Sequence, residues 1–215
     1  IGHCIALKRW QRQSLSGVVF VIVLIVFLMQ RCGAFEVLDE ASGLTPSAKH
    51  PGVFWSHNDS GGDPVLYAIN EHREVLAEVF VESADNIDWE AVTSDGAGFL
   101  YIGDIGNNSN ERKDLTIYRI PEPDVLETST ERLSVRAEAF RFRYREQTAF
   151  PDEDLMNFDA EALFFYPGGS EAQGRLYLLT KHRSDTQTNL YVFETLDHDG
   201  IRYPQRVDHF DVGGQ

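Results

Sequence analysis

The chain has 215 residues, of which 42% are hydrophobic and 12% aromatic, with a formal net charge of −15. That apolar content suffices for a substantial core and excludes a disordered chain. The acidic balance disfavours nucleic acid and anionic membrane as partners and favours cations.

The chain opens with Lys8, Arg9 and Arg12 ahead of an unbroken apolar run over 17–29, followed by small residues at Cys32, Gly33 and Ala34. This pattern predicts a secretory signal over 1–34 and a periplasmic or extracellular address. Thirteen residues rise only about 20 Å as a helix, short of a ~30 Å hydrocarbon core, so cleavage is favoured over the alternative of a membrane anchor at 17–29. An uncleaved leader would be the one route to a membrane. Both cysteines, Cys4 and Cys32, lie in this leader, so the mature domain from Phe35 would have no disulfide framework. Losing four cations and no acid would take its charge from −15 to −19.

From Ala41 onward the chain repeats. Ala41-Ser42-Gly43-Leu44, Asp88-Trp89-Glu90-Ala91-Val92 and Asp159-Ala160-Glu161-Ala162-Leu163 each start a unit, so that Ser42, Glu90 and Glu161 correspond. Each start is followed by two more apolar segments, 53–59, 99–104 and 176–181 and then 66–69, 117–120 and 190–193. The intervals, 48 residues from Ser42 to Glu90 and 51 from Tyr67 to Tyr118, match blades of four antiparallel strands. The expected fold is all-β: a β-propeller with about three four-stranded blades present, at 40–84, 87–147 and 158–213. Three blades cannot close a ring, so the expectation is a fragment of a larger propeller.

Fourth strands are expected at Val75–Val81, at Phe140, Phe142 and Tyr144 alternating with arginines, and more weakly at 207–212. The interval from Tyr118 to Glu161 is 43 residues, against 23 from Tyr67 to Glu90. The surplus, which begins at Pro121-Glu122-Pro123-Asp124, reads as a loop. Asp197 to Gly200 reads as a hairpin turn, and the tyrosines at 67, 101, 118, 177 and 191 as core aromatics.

In a propeller the first strands line the channel, and residues two apart share a face. Asp88 with Glu90, and Asp159 with Glu161, would then direct carboxylates toward one axis. Such oxygen-rich sets suit Ca²⁺; alternatively these acids cap backbone donors of adjoining turns. The loops after the second strands supply further candidates at one rim: Asn58 and Asp59, then Asp104, Asn107 and Asn108, then Lys181 and His182. Asn58-Asp59-Ser60-Gly61-Gly62 also suits a tight turn on its own. His57 and His182, near that rim, read as surface residues. No Gly-x-Ser-x-Gly elbow, phosphate-cradling Gly-x-x-x-x-Gly-Lys loop or His-Glu-x-x-His motif occurs in the sequence.

The three strand starts, with the Gly103–Asn108 and Asn58–Gly61 loops, resemble secreted propellers of the phytase-like and SdiA-regulated group, over most of 35–193. Ala91 and Ala162 stand where those families carry Gly, and a full set of phytase calcium and phosphate ligands is not matched. The resemblance implies a propeller, a calcium site and ester or phosphoester hydrolysis. The residues and the resemblance together lead to an exported acidic propeller with a divalent-cation site at its channel mouth, built from Glu90, Glu161, Asp104, Asp88, Asp159 and Asn58. Asp59, Asn107, Asn108, Lys181 and His182 would form a substrate rim. If it is an enzyme, it is a metal-dependent hydrolase. The alternatives are a non-catalytic module that binds carbohydrate, peptide or a cell-surface partner, and a lactonase-like propeller.

Overall fold

A computed structural model describes residues 37–125, 132–168, 174–196 and 200–213. The expected signal over 1–34, with Cys4 and Cys32, lies outside the described residues, as does most of the turn expected at Asp197 to Gly200. The compact unit Glu40–Gln215 contains every strand described.

Among the described residues there is no helix, and thirteen strands form three sheets. The first sheet holds β1 (Ala41–Pro46), β2 (Val53–Asn58), β3 (Val65–Asn70), β4 (Val75–Glu82) and β8 (Leu133–Arg136), in that order. The second holds β5 (Trp89–Ser94), β6 (Phe99–Asp104), β7 (Thr116–Pro121) and β9 (Glu138–Arg141). The third holds β10 (Asp159–Tyr166), β11 (Arg175–Lys181), β12 (Gln187–Phe193) and β13 (Gln205–Asp211). Successive strands pair antiparallel within each sheet, and β8 alone pairs parallel, with β4.

Strand β8 corrects the expectation of a plain loop after Pro121. Leu133 and Val135 alternate with Ser134 and Arg136, and the two apolar residues pack against the core between the first two sheets. That period-two pattern lets the returning chain cover the edge of β4, whose backbone would otherwise be open. The fourth strand of the second sheet is also shorter than expected. Phe142 makes a single parallel bridge to Arg202, and Tyr144 has left the ladder, yet Phe140, Phe142 and Tyr144 are all buried. Alternating burial thus outlasts the hydrogen-bonded strand.

Two cores separate the sheets. Trp55, Leu66, Val79 and Val81 of the first sheet meet Trp89, Leu100, Ile102 and Ile120 of the second. On the other face of the second sheet, Tyr101, Ile117 and Phe140 meet Leu163, Leu178, Tyr191 and Phe193 of the third. The second sheet is therefore buried on both faces by simple alternation. Tyr67, Tyr101, Tyr118 and Tyr191 are core residues as expected, whereas Tyr177 is half-buried and stacks on Phe164, with ring centroids 5.4 Å apart. Glu122, fully buried, accepts hydrogen bonds from Trp55 Nε1 (2.9 Å), Ser47 Oγ (2.6 Å) and Ala48 N (3.2 Å), which ties the end of β7 to the β1–β2 loop.

Strands β1, β5 and β10 lie side by side, with β5 in contact with both neighbours although each belongs to a different sheet. The first strand of each repeat thus adjoins that of the next, with the loops that follow β2, β6 and β11 at one end.

Candidate metal centre

The three corresponding positions share a backbone feature. The register of β1 with β2 slips between Ala41 and Gly43, that of β5 with β6 between Trp89 and Ala91, and that of β10 with β11 between Ala160 and Ala162. Ser42, Glu90 and Glu161 are thus the extra residues of three bulges. A bulge adds one residue against the partner strand and re-aims its side chain. At the first two bulges the side chains meet: Ser42 Oγ lies 3.4 Å from Glu90 Oε2 and 3.3 Å from the Glu90 carbonyl.

Around Glu90 three carboxylates converge. One oxygen each of Asp59, Asp88 and Glu90 falls within 4.8 Å of the others. Asp59 comes from the loop after β2 on the first sheet, while Asp88 and Glu90 belong to the start of β5 on the second. Two residues outside the cluster set its arms. Asn86 donates from Nδ2 to the Asp59 carbonyl (2.6 Å) and accepts at Oδ1 from Trp89 N (3.2 Å), while its own carbonyl accepts from Gly61 N (3.2 Å). Asp104 Oδ1 accepts from Asp88 N (2.9 Å) and from Arg112 Nη1 (3.0 Å). Between the arms runs Gly106, where a Cβ would stand 2.2 Å from Asp88 Oδ2 and 2.7 Å from Glu90 Oε1. With the two carboxylates in these positions, a side chain there would displace them.

The remaining expected ligands are already answered by bases. Asp104 is bound to Arg112, Asp159 Oδ2 accepts from Arg183 at 2.9 Å, and the exposed Glu161 meets Lys181 at 2.8 Å. Asp159 Oδ1 also accepts from Asn107 N (2.7 Å), so this acid holds a turn, which is the capping role weighed against metal binding. Asn58 Oδ1 accepts from Glu40 N at 3.3 Å. Of the other rim residues, Asn107 is buried, accepts from Arg112 N (2.9 Å) and donates to the Phe158 carbonyl (3.2 Å), and Asn108 pairs with Arg183. His182 Nδ1 is bound to Asp185 at 2.7 Å. His57 is a core residue, fully buried, with Nδ1 on the Asn58 carbonyl and its ring edge-on to Trp89.

No protein-family model, curated protein or solved structure matches this chain. The site therefore rests on its own chemistry.

Among the described residues no base lies within ion-pair distance of Asp59, Asp88 or Glu90, and one oxygen of Asp59 is buried without a partner. The electrostatic consequence is large. Burial, and then the charges of Glu161, Asp59, Asp88 and Asp159, push the Glu90 carboxyl up to about 8. Burial and the charge of Asp59 likewise raise Asp88, against the pull of Arg112. Like charges this close resist joint ionisation unless a cation joins them.

Sequence reasoning found Asp88 and Glu90, placed Asp59 only on the rim, and missed Asn86, Arg112 and Arg183. Asn86 carries no distinctive signal, because an Asn in a turn satisfies ordinary turn chemistry. Its role is open to test. Asn86→Asp keeps the acceptor for Trp89 N but loses the donor to Asp59, so amide exchange over 59–63 is expected to quicken while exchange in β5 stays unchanged. Equal exchange at 59–63 would show that Asn86 does not hold the loop.

Proposed function

We propose that this chain is part of an exported β-propeller of the phytase-like and SdiA-regulated kind, with a divalent-cation site at its channel mouth formed by Asp59, Asp88 and Glu90. The observation that carries this reading is the convergence of three carboxylates, drawn from two sheets and left without a base, on a space kept open by Gly106. The recurrence of four antiparallel strands around adjoining first strands supports the propeller.

Carboxylate and hydroxyl oxygens suit a hard cation, and Ca²⁺, which accepts six to eight oxygens in flexible geometry, suits them better than Mg²⁺. The cation would neutralise the cluster and clamp the first sheet to the second. Water or a substrate oxygen would complete its shell, and there a bound ester or phosphoester would be polarised and water activated, so that no nucleophilic side chain is needed.

Melting curves of the full chain with Ca²⁺, with Mg²⁺ and with chelator test the site, and a screen of esters, lactones and phosphoesters tests the chemistry. Ca²⁺ is expected to raise the melting temperature more than Mg²⁺ does. Identical curves in Ca²⁺ and chelator would overturn the assignment.

A further inference from the structure

Each junction inside the chain joins the forward face of one sheet to the receiving face of the next, and the residues involved recur at the same register positions. On the forward side, Trp55 and Tyr101 lie opposite Thr45 and Thr93 and are buried, as are Leu66 and Ile117 on the third strands. On the receiving side, Val92 and Leu163 follow the bulged residue by two and are 4% and 6% exposed. Leu100 and Leu176 on the second strands, with Ile120 and Phe193 opposite them on the third, are buried beside them.

The same positions on the two outermost faces are uncovered. On the forward face of the third sheet, Tyr177, opposite Phe164, stands where Trp55 and Tyr101 stand in the others, and Leu190 where Leu66 and Ile117 stand, yet both are only half-buried. Phe164, Tyr166 and Phe210 are exposed on that face, with Tyr166 edge-on to Tyr177. On the receiving face of the first sheet, Leu44 takes the place of Val92 and Leu163 and is 63% exposed. Phe54 and Ile69, in the places of Leu100 and Ile120, are half-buried. Contiguous apolar surface of this kind marks an interface.

We propose that a second copy of this chain covers both faces: the forward face of the third sheet in each copy docks on the receiving face of the first sheet in the other, and a two-fold axis closes six sheets into one ring. The two bare faces are counterparts, and this selects the occupant. The chain shows twice what packs on a forward face, and its own first sheet presents apolar residues at those same register positions. Contacts between unlike faces either close a ring or propagate as an open chain, depending on the rotation from one unit to the next. Six sheets fall within the roughly four to eight at which propellers close, so the inference rests on the propeller reading. It uses none of the carboxylates of the cation cluster.

The test is sedimentation velocity of the full chain at about 100 μM, where a micromolar contact is saturated, and on dilution, with melting curves in Ca²⁺ and in chelator on the same samples. One species of twice the chain mass is expected. Leu44→Arg and Phe164→Arg each set a charge in one of the two faces, and both side chains are exposed in the single chain. Either variant should therefore keep the circular dichroism of the parent yet sediment as a monomer, because the pair would bury an unmatched charge. A monomeric parent would overturn the pairing, and a Ca²⁺ response in that monomer would leave the cation site standing. Species that lengthen with concentration would show that the sheets do not curve into a ring, which overturns the pairing and the propeller together. A pair lost in only one of the two variants would mean that one face pairs with itself, and would equally overturn the proposal.

Discussion

Asp59→Asn combined with Glu90→Gln removes the response to Ca²⁺ while leaving the metal-free protein at least as stable as the parent. In the parent, Ca²⁺ at 100 times its dissociation constant adds about 2.7 kcal/mol. For a domain of this size that raises the melting temperature by about 5–10 °C. The double variant has lost two of the three charges, so the rise should vanish.

Its metal-free stability should depend on pH in a way that identifies the cause. Glu90 titrates at about 8 in the folded chain, against an ordinary value of 4.5, so between those values the folded chain holds the extra proton. The contribution of Glu90 to stability is complete below about 4.5 and is lost as pH rises through about 8. The variant, permanently neutral at this position, should exceed the parent by several degrees at pH 9 and by little at pH 5. A variant that melts lower than the parent at pH 9 would show that the carboxylates support the fold in their charged form.

Gly106→Ala should abolish high-affinity cation binding at a modest cost in stability. The φ of Gly106 lies outside the left-handed region, so the need for glycine is steric. The atoms in the way are the Asp88 and Glu90 carboxylates, at 2.2 Å and 2.7 Å, which sit on rotatable side chains and can swing aside. Turning them away costs about 1–3 kcal/mol of overpacking and moves two of three ligands. Displaced ligand geometry is expected to lower Ca²⁺ affinity by about 10–100-fold. Calorimetric titration beside a melting curve separates the two effects, and unchanged affinity in a folded Gly106→Ala chain would remove Gly106 from the site.

Much of the architecture was legible because its causes are local. The recurrence of Ser42, Glu90 and Glu161 located three first strands, and each position proved to be the extra residue of a bulge. Alternation at Val75–Val81 located β4 for the same reason, since period-two burial is written directly in side-chain type. Leu133–Arg136 was missed because four residues carry little periodic signal, and their pairing with β4 depends on a partner some fifty residues away.

The site divided along similar lines. Asp88 and Glu90 lie two apart at the start of β5, a spacing that sequence can pair. Which acids remain free is a question of tertiary partners: Arg112, Arg183 and Lys181 claim Asp104, Asp159 and Glu161, and no spacing along the chain announces those pairs. Asp59 entered the cluster through Asn86, a contact across 27 residues between the loop after β2 and the segment before β5. His57, read as a surface residue from its place beside a loop, is fully buried against Trp89, and that burial lowers its affinity for a proton.

The most direct test is titration of Ca²⁺ into the metal-free full chain at pH 7 and pH 9, each in two buffers of different ionisation enthalpy. With Glu90 titrating at about 8, the folded chain carries a proton at pH 7 that the cation must displace. One Ca²⁺ per chain is predicted to bind with proton release at pH 7 and with markedly less release at pH 9. Absence of binding heat, or binding that releases no proton at pH 7 and persists in Asp59→Asn, would contradict a cation site built on Asp59, Asp88 and Glu90.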